Sequence, residues 1–275
     1  MKNIFKFKNK LALVGTIIIT VLIFTAICAD FLVSEDPRTI DLQGAFSLPS
    51  SKHLFGQDQN GADIFSKIIY GAQTSLLVGF STVLISLIIG TFFGTIAGYL
   101  GGIFDQLIMR AVDIFMAFPG LLLAMAISAL MEPSIYNIIF ALSFSGWVSY
   151  ARIVRSQVLS LKQFDHVLAA QSLGASRRRI IFYHILPNAL GPLIVAATFG
   201  IAGAIIGEAA LSFLGIGAPP TVPSWGAMLD QGRQHLLDFP HLATYPGIAI
   251  MLAVLGFNFV GDALRDRFDP KSHME

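Results

Sequence analysis

Six histidines, His53, His166, His184, His235, His241 and His273, are the side chains best suited to hold a metal or move a proton near neutral pH. No two stand at the i, i+4 interval that puts two ligands on one helical face, so no metal site is expected. There is no G-x-x-x-x-G-K-[ST] phosphate loop, no nucleophile elbow and no pair of catalytic carboxylates. The chain is therefore expected to need no cofactor, to be no enzyme, and to leave any ATP hydrolysis to another subunit. What remains is a set of ionisable or helix-breaking residues inside apolar runs. Asp105, Arg110 and Asp113 lie near helical-neighbour spacing and are expected to neutralise one another at a membrane boundary. Glu208 stands at the end of another run, where solvation is expected to satisfy it. Phe118-Pro119 breaks a third, as a structural bend or as a kink facing a path. Phe118, Pro119 and Glu208 are the candidates for a translocation path or gate.

Those residues must be positioned by helices in lipid. Hydrophobic residues make up 55% of the 275 and charged residues only 13%, with mean hydropathy +0.71, which is the balance of a polytopic membrane protein. An all-α integral membrane protein with about six transmembrane helices is expected. The runs are Leu11 to Cys28, Ser75 to Leu100, a third starting near Asp105 and ending near Met131, Ile135 to about Tyr150, Asn188 to about Ile206, and Tyr245 to Val260. The first is read as a retained span rather than a cleaved signal, because it is long for a signal h-region and bulky Ile27 precedes Cys28. A lone Cys28 excludes an intrachain disulfide. In the second span Gly90, Gly94 and Gly98 recur at every fourth position, lining one face on which another helix can approach closely.

The division that follows is an amino-terminal segment and first span over 1–33, an extracytoplasmic segment over 34–74, a core over 75–264 and a tail over 265–275. In the segment over 34–74, the Asp and Gly residues read as turn chemistry, and their spacing does not supply a calcium loop. Trp225, after a proline-rich turn, suits a membrane interface.

One polar interruption stands out in the core, a loop over 158–187. Leu161, Phe164, Val167 and Leu168 recur at helical spacing, Gly174 suits a left-handed helix end, and Ser176 can cap the next helix. Helix, tight turn, helix is the expected result. Arg177, Arg178 and Arg179 then fall in a first turn, where the helix dipole disfavours cations, so helix stability does not explain them. For an inside amino terminus, fourteen of the eighteen Lys and Arg residues fall inside and four, Arg38, Lys52, Lys67 and Arg233, outside. That asymmetry predicts that both termini and the Gly174 loop are cytoplasmic. The arginines are too few and too close to the membrane for nucleic acid.

Ala169-Ala170, Gly174 and His184-Ile185-Leu186-Pro187 together resemble the EAA signature of ATP-binding cassette (ABC) importer permeases, with Leu168 where the family has an acidic residue. His53 to Asp63 with Tyr70-Gly71-Ala72 is similar to the HxLGTDxxGRD and YGAR segments of the dipeptide, oligopeptide and nickel branch. Gln57, Ala62, Lys67 and Gln73 replace the branch's Thr and three Arg. Leu211 to Gly226 and Asp262 to Asp266 resemble that branch's SFLGxGxxPPxPxWG and GDxLRD segments. The resemblance implies a type I ABC importer permease in a bacterial cytoplasmic membrane, carrying di- or oligopeptides, nickel or another small solute. The implied partners are a second permease subunit, cytoplasmic ATPase subunits, an extracytoplasmic solute-binding protein and membrane lipid. It also implies that His166, Leu168, Ala169, Ala170, Leu173, Gly174, Ala175, Arg177, Arg178 and His184 form the surface that couples to the ATPase. A stand-alone secondary transporter is the competing class, and it would favour mid-membrane ionisable residues and inverted repeats.

Overall fold

The computed structural model describes residues 10–33, 35–219 and 221–268. His273, Pro220, the lysines at 2, 6, 8 and 271, and the tail beyond 268 lie outside the described residues. The chain is helical throughout the membrane. Helix α1 (Lys10–Ile27) leads into a one-turn α2 (Ala29–Leu32) and an irregular segment, after which α3 (Ile64–Leu100) begins. Then come α4 (Gly102–Met116), α5 (Gly120–Ala129) and α6 (Ile135–Leu161). The short α7 (Asp165–Ser172) and α8 (Arg177–Arg179) follow, and α8 runs through a π-type turn, Ile180–Ile185, into α9 (Leu186–Phe213). Helices α10 (Trp225–Arg233) and α11 (His241–Phe268) complete the fold. Among the described residues five helices are long and apolar enough to cross a membrane, and the bent pair α4–α5 makes a sixth if the two halves are counted as one span.

Helix α3 starts at Ile64, not at Ser75, so residues 64–74 are helical. At about 1.5 Å per residue its 37 residues reach about 55 Å, well past the roughly 30 Å of hydrocarbon, so its first turns stand outside the lipid and carry polar residues. Asp63 starts it: one carboxylate oxygen accepts from the Ser66 backbone N–H at 2.8 Å and the Ser66 hydroxyl at 2.7 Å, and the other faces His53 Nδ1 at 3.1 Å. Gly101 and Gly102, with φ of +67° and +54°, stop it and reverse the chain.

The backbone of α6 lies directly on the glycine face of α3. A Cβ on Gly90 would stand 2.5 Å from Tyr150 Cβ, on Gly94 2.5 Å from the Ala151 carbonyl oxygen, and on Gly98 2.8 Å from Val158 Cβ. Helix α1 meets α11 in the same manner, where a Cβ on Gly15 would stand 2.7 Å from Phe259 Cβ. Such contacts suit lipid, where burial of apolar surface no longer drives helices together and close packing must. The outer sides of the same helices keep large apolar residues exposed, among them Leu84, Ile88 and Phe92 on α3.

The third span breaks where Pro119 removes a backbone donor. Helix α4 ends at Met116, α5 restarts after Pro119, and the two axes differ by 79°. Phe118 and Pro119 are both exposed at this break. The proline at 187 acts more gently: without its N–H the Tyr183 carbonyl lacks its helical partner, and the ladder widens to the π-type turn just before it. Asn188 Nδ2 donates to the neighbouring His184 carbonyl at 2.6 Å.

Two boundary expectations are corrected. Asp105 and Asp113 find their cations on α6, not at Arg110: Arg155 forks onto Asp105, with Nη2 at 2.7 Å from Oδ2, and Arg152 meets Asp113 at 3.2 Å. An extended Arg on the facing helix reaches both carboxylate oxygens, a geometry Arg110 on the same helix does not offer. Trp225 is not at a lipid interface. It is fully buried, its indole N–H donates to the Ile68 carbonyl at 3.0 Å, and it packs on Gly71, where a Cβ would meet it at 2.8 Å. The indole donor has a protein partner, so it has no need of the headgroup region.

Replacing Gly94 by Val should destabilise the α3–α6 pair by about 1–3 kcal/mol through overpacking. Gly247→Ala, where the nearest atom beyond the Cβ is 3.9 Å away, should be neutral. Thermal unfolding of the detergent-solubilised protein checks both, and equal melting temperatures for the three proteins would rule the seam out.

Candidate functional site: the α7 turn and the buried carboxylate

Helix α6 delivers α7 to one end of the bundle. Val167, on the inner side of α7, is fully buried, as are Ile180 and Ile185 beyond the turn, so the loop is pinned from beneath by apolar contact. Its outer side is open. Leu168 is 45% exposed and Leu173 88%, with His166, Ala169, Gly174, Arg177 and Arg178 exposed around them and Ala170, Ala175 and His184 half-buried. The His166 and His184 rings stand 6.2 Å apart.

The turn has a definite chemistry. The Gly174 N–H donates to Gln171 O at 2.9 Å and the Ala175 N–H to Ala170 O at 3.0 Å, the paired bonds that close a helix when the residue after the cap is left-handed. Gly174 has φ +79°. Ser176 then accepts from the Arg179 backbone N–H at 3.4 Å and starts α8. Two helices thus meet at a point whose backbone groups are bonded within the loop and whose Leu and Arg side chains face outward. Among the described residues none of the three arginines forms an ion pair with a carboxylate. Lys162 fastens the base of the loop to α3, donating to the Gly98 carbonyl at 3.2 Å.

At the opposite end lies Glu208, and the expectation that solvent satisfies it is corrected. The residue has no exposed surface. Ser75 on α3 donates to Oε2 at 3.1 Å, Ser212 on α9 donates to Oε1 at 2.8 Å, and Ser224, which also caps α10, is a third partner. Ser212 in turn accepts from the Ala218 backbone N–H at 3.1 Å. The carboxylate therefore ties α3, α9, the loop after α9 and the start of α10 into one knot. The i, i+4 spacing of Glu208 and Ser212 was a sequence signal for half of it; Ser75, 133 residues away, gave none. Phe118 and Pro119 are not brought to this carboxylate. They lie at the α4–α5 break, exposed.

The irregular segment before α3 carries the remaining polar cluster. Asp58 Oδ1 accepts from the backbone N–H groups of Asn60 at 2.8 Å and Ala62 at 3.0 Å, and its other oxygen pairs with Lys67. Gly56 and Gly61 are left-handed, at φ +79° and +74°. These groups build turns and start a helix. Among the described residues no three His, Cys, Asp or Glu side chains converge as a metal site would require.

The described residues thus form a helical membrane bundle with an exposed, arginine-flanked turn at one end. The family model described as the binding-protein-dependent transport system inner membrane component matches residues 90–273, and the chain belongs to that family. A second model, the N-terminal TM domain of oligopeptide transport permease C, matches residues 7–49. The chain is 48% identical over 264 residues to the dipeptide transport system permease protein of Alkalihalophilus pseudofirmus, covering 96% of this chain and 87% of that one. It is 42% identical over 263 residues to the oligopeptide transport system permease protein of Bacillus subtilis, covering 96% and 86%. A glutathione transport system permease protein of Pectobacterium atrosepticum is 41% identical over 265 residues, covering 96% and 88%. Among solved structures, a chain of the inward-facing MetNI methionine ABC transporter matches with TM-score 0.62 and 18% identity, covering 75% of this chain and 98% of that one. That likeness bears on the fold alone, which is the type I importer permease fold. The chain is a membrane-embedded permease subunit, and ATP hydrolysis belongs to a separate subunit.

Glu208→Ala should leave the Ser75 and Ser212 hydroxyl protons without their acceptor in an apolar interior and destabilise the protein by about 1–3 kcal/mol. Glu208→Gln keeps an acceptor and should cost less. Unfolding in detergent separates the two; an Ala variant as stable as wild type would show that the knot carries no stability.

Proposed function

We propose that this chain forms half of the translocation path of an ATP-driven importer of di- and oligopeptides, with both termini and the α7 turn in the cytoplasm of a bacterium. The observation that carries the reading is the α7 turn: a rigid, internally bonded corner that holds Leu168 and Leu173 in water beside Arg177 and Arg178. Apolar side chains fixed in that exposed geometry are suited to a partner's groove. Peptides are the substrate class because relatives 41–48% identical to this chain are named for dipeptide, oligopeptide and glutathione transport. The partners of this reading are a second permease, two cytoplasmic ATPase subunits seated on the α7 turns, and an extracytoplasmic solute-binding protein.

Mechanically, α6 runs from Ile135 to Leu161 without a break and is packed backbone to backbone on α3. A push on α7 is therefore delivered to a stiff pair of helices and not absorbed by a hinge. ATP binding draws the two ATPase subunits together, moves the two turns with them, and selects the outward-open state of the pair; hydrolysis releases it. His166, Ala169, Ala170, Ala175 and His184 shape and brace the docking corner, while Leu173 and the arginines make contact.

Gly174→Asp removes the left-handed turn and adds a charge at the contact. Peptide uptake into vesicles holding the whole complex should fall about tenfold or more, as expected for the loss of a coupling free energy of roughly 1–3 kcal/mol, while permease level and basal ATP hydrolysis persist. Unchanged uptake at equal permease level would discard the docking role.

A further inference from the structure

At the end of the bundle that carries the α7 turn, a cavity of about 550 Å³ opens between the last turn of α3, the end of α6 and the turn itself, a volume in the range of small-ligand sites. Its charge is one-sided. Lys162 and Arg177 line it together with the side-chain amides of Gln163 and Gln171 and the phenol of Tyr99, and no Asp, Glu or His does. Among the described residues neither cation forms an ion pair with a carboxylate, and Asp105 on α4 is committed to Arg155. The Lys162 ammonium has three donors, of which one goes to the Gly98 carbonyl at 3.2 Å. That bond also covers one of the carbonyls at the negative end of α3, which would otherwise repel an anion. Lys162 precedes α7 and Arg177 follows Gly174, so the two cations bracket the turn.

Cations gathered around one cavity repel one another, and an anion seated among them reverses the sign of that interaction. A phosphate group has oxygens enough to meet a guanidinium fork, an ammonium and amide N–H groups together. Leu100, 47% exposed, and Leu168, 45% exposed, add apolar lining, and Gly101 and Gly102 reverse the chain beside it, so the cavity lies where a span ends. Basic pockets at that level suit the headgroups of anionic lipids. A soluble phosphate offers the same oxygens without the apolar stem.

We infer that Lys162, Arg177, Gln163 and Gln171 bind a phosphate-bearing anion, either the headgroup of an anionic phospholipid or a soluble phosphate, which ties the α7 turn to the end of α3. The site is independent of the transported solute. Because Leu168 and Arg177 also belong to the docking corner, an anion held there steadies the surface on which the ATPase is proposed to sit.

The test measures the lipid retained by the complete complex, at equal ATPase content, after purification from mixed micelles of phosphatidylglycerol and phosphatidylcholine. Wild type should retain phosphatidylglycerol preferentially. Lys162→Gln should lower the ratio of the two lipids about fivefold, the order of one basic residue near an anionic headgroup, and the pair Gln163→Glu with Gln171→Glu at least as much. Gln171→Lys should raise the ratio, which a merely damaged fold would not do. Arg179→Gln, equal in charge to Lys162→Gln but outside the cavity, should leave it unchanged. Retention that excess inorganic phosphate at constant ionic strength fails to displace assigns the lipid headgroup. Binding of radiolabelled phosphate in phosphatidylcholine alone, lost in the same variants, assigns the soluble source. A wild-type complex that retains neither anion, an Arg179→Gln loss as large as that of Lys162→Gln, or a Gln171→Lys variant with no gain would each overturn the site.

Discussion

The contact on which the structure depends is the one between α3 and α6, where three glycines spaced by four residues remove every side chain between two backbones. With Cβ clearances of 2.5 to 2.8 Å at those positions, no larger residue fits without moving one helix off the other. In water such a seam would be assisted by burial of apolar surface. In lipid it is held by packing itself and by Lys162 closing the end of α3. The consequence is mechanical. Two long helices behave as one strut, and the α7 turn is fixed to its end.

Polar groups in this chain are settled in three different ways, and each says something about role. The Asp58, Asp63 and His53 cluster spends its hydrogen bonds on local turns and on starting α3. Glu208 spends its own on serines of α3, of its own helix and of the start of α10, and so fastens one end of the bundle against the span that carries the seam. The hydroxyls of Thr82, Ser86, Thr91, Thr95 and Ser128 are buried with no partner among the described residues. A buried carboxylate surrounded by hydroxyls from separate elements is structure.

Much of this was legible in the sequence for a physical reason: the backbone determines what lipid and tight turns tolerate. Apolar run lengths gave the spans, Gly174 with Ser176 gave the corner, and the Gly90, Gly94 and Gly98 period gave the close face. Reading failed where a partner came from far along the chain. Arg155 was invisible as the partner of Asp105, and Ser75 as the partner of Glu208, because pairing across spans leaves no spacing to read. Trp225 misled for a related reason: a proline-rich turn locates a Trp near the end of a span but not whether the ring faces lipid or protein. The apolar run from Ser75 marks the span but not the whole helix, because the first turns of α3, from Ile64, carry polar residues that look like loop.

The claim at the centre of the account is that a separate ATPase grips the corner between α7 and α8. Placing a photoreactive phenylalanine analogue at position 173 of the complete complex and identifying what it captures tests this most directly. The account predicts covalent capture of the ATPase subunit, at a yield that changes when ATP is bound. Capture of lipid or of the permease alone, with the ATPase present and hydrolysing, would contradict it.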